Sequence, residues 1–117
     1  MSHEFLDYVE DILDAMEKAE ILLQDVTYEQ FEADFRINFA VVRALEIIGE
    51  ATKRLPMVVR HQYPDVPWKS MAGMRDRIIH GYDNVDFQIV WGVVKQDIPV
   101  IRPRIQQILT DYEEQEP

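Results

Sequence analysis

The 117-residue sequence predicts an all-α fold, an antiparallel helical bundle, on three observations. Apolar residues recur at steps of three and four and do not alternate. The 6 Pro and 4 Gly are few and bunched between the periodic stretches. An apolar content of 47% over this length is enough for one continuous core and too little for two, so residues 1–117 read as a single domain.

Each element follows from its pattern. From about Ser2 to Leu23, the residues Phe5, Val9, Ile12, Met16, Ala19 and Leu23 form an apolar stripe with acids on the opposite side, predicting a long amphipathic first helix. Thr27 with Gln30 three residues later is a capping-box pattern for a short helical turn through Phe31. A second long helix is expected from about Asp34 to Leu55, ended by Pro56. Its apolar positions, among them Phe35, Phe39, Val41, Leu45 and Ile48, wrap more than half of the circumference, which predicts a central helix that touches several neighbours and is free to reach a partner chain. Met57 to Tyr63 reads as a further turn or two, followed by a connection at Pro64 and Pro67. The third helix is expected to start near Asp65 to Trp68 and to run through Met71, Met74, Ile78 and Ile79 to a stop at Gly81. The fourth starts near Asp86 and reaches Pro99, with Pro99 and Pro103 expected to kink it or split it in two. Asp111 to Pro117 is acidic and is expected to fray.

Charge is distributed unevenly. The net charge of −10 argues against a protein coated uniformly in positive charge, so any nucleic-acid contact must be local. Residues 1–34 carry one base, Lys18, against eleven acids. Residues 51–80 reverse the sign, with Lys53, Arg54, Arg60, Lys69, Arg75 and Arg77 facing only Asp65 and Asp76. There is no cysteine, which removes disulfides, thiolate nucleophiles and thiolate metal sites and fits a reducing compartment. No membrane span or signal peptide is evident, and the expected address is the cytoplasm.

His3, His61 and His80 are far apart with no pair at ligand spacing, so no metal site and no cofactor is expected. Glu10, Asp11, Asp14 and Glu17 are crowded, but on an exposed helix such a group is ordinarily a solvated face. The segment Met74-Arg75-Asp76-Arg77-Ile78-Ile79-His80-Gly81-Tyr82 differs in kind. Gly81 is a natural left-handed residue after a helix end, which places His80 in the last turn, beside the unsatisfied carbonyls. A titratable ring next to two permanent cations suits phosphodiester chemistry. Arg can grip a phosphate bidentately and stabilise the charge of a pentacoordinate transition state, and His can move a proton at a ribose 2′-OH or at the leaving oxygen. The plainer reading of the same residues is that Arg75 and Arg77 bridge acids on neighbouring helices while His80 caps a helix end.

The stretch from Arg75 to Tyr82 resembles the R-x4-H-x-Y signature of HEPN-domain ribonucleases, and its surroundings resemble the HepT toxin family, the ribonuclease half of MntA/HepT toxin–antitoxin pairs. Leu45 to Pro56, Tyr63 to Trp68, Ala72 to Tyr82, and Val85-Asp86 with Ile89-Val90-Trp91 look like that family's blocks in order, covering roughly residues 35–105. The resemblance implies a HEPN-like bundle and a metal-independent endoribonuclease acting on RNA, with Arg75 and His80 as the motif pair. Asp76 would orient Arg75 or the RNA, with Arg77 as a second supporting cation. It also implies an antitoxin partner, a minimal MntA-like nucleotidyltransferase that silences the toxin by transferring AMP to Tyr82. Bulky, anionic AMP placed two residues from His80 would fill an RNA groove and repel the backbone.

A two-fold homodimer is expected on chemical grounds as well. Attack by a 2′-OH calls for both a base and an acid, and one chain supplies a single histidine in the motif. A two-fold axis beside the third helix would pool two copies of Arg75 and His80. Two other readings stand beside the ribonuclease: a non-catalytic helical module that presents a substrate or nucleotide to a nucleotidyltransferase, and a helical dimer that makes only protein contacts through its acidic first helix.

Overall fold

The computed structural model describes residues 3–115. The first predicted helix is α1, Phe5–Leu22, with Val9, Ile12, Ala15, Met16 and Ala19 buried; Ser2 lies outside the described residues. Asp7, Glu10, Asp11, Asp14 and Glu17 are exposed on α1. The Thr27 hydroxyl accepts from the Gln30 amide at 3.1 Å and the Gln30 side chain accepts from the Thr27 amide at 2.9 Å. This reciprocal cap opens α2, Tyr28–Ala33. Asp34 then caps α3, Phe35–Lys53, by accepting from the Arg36 amide. Buried Asn38 donates from Nδ2 to the carbonyls of Phe31 and Glu32, so the two helices are locked through groups that α2 leaves unpaired at its end.

Helix α3 is central, as its wide apolar arc predicts. It packs on α1 and on α5, Trp68–Ala72, and α6, Met74–Ile78. Residues of the first half of α1, Tyr8 and Asp11, lie beside Ile47, Glu50 and Arg54 from the second half of α3, so the two run antiparallel. The last helix, α8, Ile98–Gln115, also runs antiparallel to α1. Its Tyr112 ring meets Phe5 at 5.0 Å and its Arg102 donates to Glu20 at 2.6 Å. One continuous core extends from Val9 to Tyr112. Among the described residues the fold is helical with no β-strand, only one isolated antiparallel bridge, and no helix is long and apolar enough to cross a membrane.

Three expectations are corrected. The third helix is not continuous to Gly81. It is the pair α5 and α6, broken at Gly73 (φ −88°, ψ 15°), and it ends at Ile78 with Ile79 already extended. The break seats the α5–α6 junction directly on α3. A Cβ at Gly49 would lie 3.1 Å from both the Met71 carbonyl oxygen and Met74 Cβ. Of the two outcomes expected of Pro99 and Pro103, a kink or a split, the split does not occur. Helix α7, Phe87–Gly92, continues through a π-turn, Val93–Asp97, into α8, with Pro103 inside it. Pro99 lies two residues beyond this wide turn, so the donor it lacks falls where the hydrogen-bond ladder changes register. Asp111 to Gln115 is helical and is not frayed at its start, and Glu116 and Pro117 lie outside the described residues. The Tyr63 hydroxyl donates to Asp111 at 2.7 Å and the Tyr112 hydroxyl donates to Gln62 at 2.7 Å, tying α8 to α4, Met57–Gln62, and the residue after it.

Replacing Gly49 by Leu is expected to destabilise the fold by about 1–3 kcal/mol despite the better helix propensity of Leu, because the opposing Met71 oxygen belongs to backbone. Urea denaturation reads this directly, and an unchanged midpoint would disprove the close contact.

The hydrogen bonds from Tyr63 and Gln107 hold the Asp111 carboxyl below the usual range, and the Arg104 guanidinium does the same for Asp65. Both pKa values are depressed on folding. Their stabilisation is therefore present above the unfolded value of about 3.9 and is lost as pH falls through the folded value. The gap in urea midpoint between the native chain and Tyr63→Phe should be open at pH 6 and narrow at pH 2.

Candidate active site

The conspicuous segment is built on α6. Met74 and Ile78 are buried and anchor the short helix, which leaves Arg75 and Asp76 exposed between them. Past Ile78 the chain turns back on itself. Ile79 bridges Val85, the His80 amide donates to the Asn84 carbonyl at 2.7 Å, and the Asp86 amide donates to the Ile78 carbonyl at 2.8 Å. Gly81 takes φ +111° at the corner. His80 is therefore not in a last helical turn beside free carbonyls, as the pattern predicts. The bridge satisfies the Ile78 carbonyl, and His80 stands outside the helix on a closed loop, with its side chain exposed. The half-buried side chains of Ile79 and Val85 favour the extended backbone that makes this bridge. Gly81 has the left-handed conformation expected of it, as a loop corner and not as a helix cap. Tyr82, at the tip, is 99% exposed.

The two arginines part company. Arg77 is half-buried and reaches toward Asp97 of the π-turn at 3.9 Å, which matches the plainer, bridging reading. Arg75 makes no such bridge. Among the described residues, Lys53, Arg54, Lys69 and Arg75 are the lysines and arginines without an ion pair, hydrogen bond or ring contact of their side chains. All four fall within the basic segment. On α1, Asp14 pairs with Lys18 and Glu20 accepts from Arg102 of α8, while Asp11 lines a groove with Lys53 and Arg54 at the end of α3.

A cavity of about 490 Å³ that no local pattern announces lies between α5–α6 and the π-turn with α8, lined by Met16, Ile48 and Met74 and by Arg77 and Asp97. Arg75, His80 and Tyr82 do not line it and instead stand on open surface, an arrangement suited to a long polymer more than to an enclosed small molecule. Among the described residues no three His, Asp or Glu side chains gather closely enough to hold a metal ion. His3 packs on Phe5 and Tyr112, and His61 belongs to a separate groove.

The Ribonuclease HepT-like family matches residues 12–108, a span that contains every element from the middle of α1 to the buried Ile108 of α8. The chain belongs to the HepT-like ribonuclease family. A probable ribonuclease HepT from Thermococcus cleftensis is 42% identical across 92% of this chain and 98% of its own length. Two further relatives carry an RNase designation in their names. One, from Methanocaldococcus jannaschii, is 40% identical over 96% of this chain and 90% of its own. The other, from Caldanaerobacter subterraneus, is 40% identical over 87% and 91%. No solved structure matches the chain at a significant level. Membership in the HepT-like family agrees with the helical bundle and with the resemblance of the Arg75 to Tyr82 segment.

The loop geometry has a measurable consequence. Gly81→Val introduces a side chain at a positive φ, a strain of order 1–3 kcal/mol. Amide exchange at His80 and Asp86 should accelerate by about tenfold or more while α1, α3 and α8 keep their protection. Unchanged exchange at those two amides would show that Gly81 does not hold the loop.

Proposed function

We propose that this chain is a metal-independent endoribonuclease, the toxin of a toxin–antitoxin pair, that cleaves RNA with Arg75 and His80. The observation that carries the reading is the pairing of an unpartnered, exposed Arg75 with an exposed His80 on a closed loop, within a HepT-like chain whose free cations cluster in the same segment. Arg75 grips the scissile phosphate and stabilises its added charge. His80 takes the proton from the 2′-OH, whose oxygen attacks phosphorus as the bond to the 5′-oxygen breaks. The products are a 2′,3′-cyclic phosphate and a 5′-hydroxyl.

The leaving 5′-oxygen needs a proton in turn. A homodimer with its axis beside α5–α6 supplies a second His80 as the acid and joins two basic segments in one groove. Asp76, exposed beside Arg75, orients that arginine or the RNA, and Arg77 supports the motif from its bridge to Asp97. Tyr82 is the modification site. Its full exposure leaves the hydroxyl open to a minimal MntA-like nucleotidyltransferase, which would join AMP to it from ATP with release of pyrophosphate. The added phosphate then repels RNA two residues from His80. The reading places this chemistry in the cytoplasm.

Single-stranded RNA incubated with the chain in excess EDTA should be cut, and Arg75→Ala and His80→Ala should each lower the rate by about 10²–10⁴-fold with helical content intact. No cleavage by the native chain, or equal cleavage by all three, overturns the ribonuclease and leaves the non-catalytic partner of a nucleotidyltransferase ahead.

A further inference from the structure

A second surface feature stands apart from Arg75 and His80. A shallow groove of about 660 Å³ runs between α4 and α5. Its walls are apolar, with Met57, Pro64, Pro67 and Trp68 prominent, and every ionisable residue that lines it is basic: Arg60, His61 and Lys69. No carboxylate lines it. The platform is rigid. The Trp68 indole N–H donates to the carbonyls of Arg60 and Tyr63 at 3.1 and 3.0 Å, and two prolines fix the connection between the helices. Arg60 is held from below by the Thr52 carbonyl at 2.8 Å. Lys69 has no partner, and Met57 is 57% exposed where a solvated surface would ordinarily carry a polar side chain.

We propose that this groove is a binding subsite for a single-stranded RNA nucleotide flanking the one that is cut. A rigid apolar floor offers a face for a base irrespective of its sequence, and a rim that carries Lys69 and no carboxylate suits the phosphate that follows it. The groove also adjoins the motif. Ala72, its last wall residue, precedes Arg75 by three residues, a backbone reach of no more than about 11 Å. On this proposal, RNA bound at Arg75 extends along α5 to Lys69, with the His61 ring on the same groove. The identity of the nucleic acid rests on the ribonuclease reading, whereas the existence of the groove and its charge do not.

The test measures binding apart from cleavage. A fluorescent single-stranded RNA oligonucleotide is titrated against the full chain carrying His80→Ala, by anisotropy at several salt concentrations. Adding Lys69→Ala and His61→Ala should weaken binding roughly tenfold and reduce the salt slope by about 0.7 for the lost lysine. Lys69→Arg should keep most of the affinity. Lys18→Ala, on the outer face of α1, serves as the charge-matched control and should change nothing. Lys69 and His61 are exposed, and the thermal midpoint of each variant confirms that its fold is intact. Binding unchanged within about twofold in the double variant overturns the subsite. So does equal competition by an acidic peptide of the same length, which would assign the groove to protein. If the native chain fails to cut RNA in EDTA while the dependence on Lys69 persists, the ribonuclease reading falls and the subsite stands. If it cuts and Lys69 has no effect, the subsite alone falls.

Discussion

Everything exposed between Arg75 and Tyr82 depends on two buried side chains, Met74, seated against α3 where residue 49 has no side chain, and Ile78. A five-residue helix has almost no stability of its own, because nucleation is costly and so few hydrogen bonds repay it. Its position is set by tertiary contact. The close approach at Gly49 presses the α5–α6 junction onto the backbone of α3. Buried Ile78 then fixes the point at which the chain leaves the helix and enters the loop. Arg75 and His80 are thus presented by a backbone fixed from beneath, while their side chains stand in solvent.

The same economy explains the two arginines. Arg75 and Arg77 are two positions apart on one helical turn, so they leave α6 on different sides. One side meets the π-turn and finds Asp97, and the other meets solvent. Several acids pair with bases, Asp76 and Asp83 stay exposed in and just after the motif, and the lysines and arginines without a side-chain partner among the described residues all fall between residues 53 and 75. The net charge of −10 is therefore unevenly distributed along the chain.

Much of the bundle is legible in the chain. The stripe from Phe5 to Leu23, the Thr27–Gln30 cap and the wide apolar arc of α3 are local patterns, and local patterns decide helix identity and facing. What failed to show were the places where tertiary contact outweighs propensity. The stretch from Trp68 to Ile79 has the periodicity of one helix, Gly73 is the local mark of the break within it, and the close approach of Met71 and Met74 to Gly49, far away in sequence, has no local mark. Pro99 reads as a breaker, yet a π-turn shifts the ladder ahead of it and the helix continues. Acidic residues at the end of α8 read as frayed, yet Tyr63 and Gln62 hold Asp111 and Tyr112 across a gap of about fifty residues that local pattern cannot span.

By itself the sequence determined the helical class, the faces of the long helices, the acid–base asymmetry and the identity of the polar residues at 75, 76, 80 and 82, because each depends on residue type and short-range spacing. Only the tertiary structure decided which of those residues are free to act. Pairing, exposure and backbone direction depend on neighbours brought in from distant positions. Asp97 engages Arg77 and leaves Arg75 open, and the Ile79–Val85 bridge moves His80 off the helix end and onto an exposed loop.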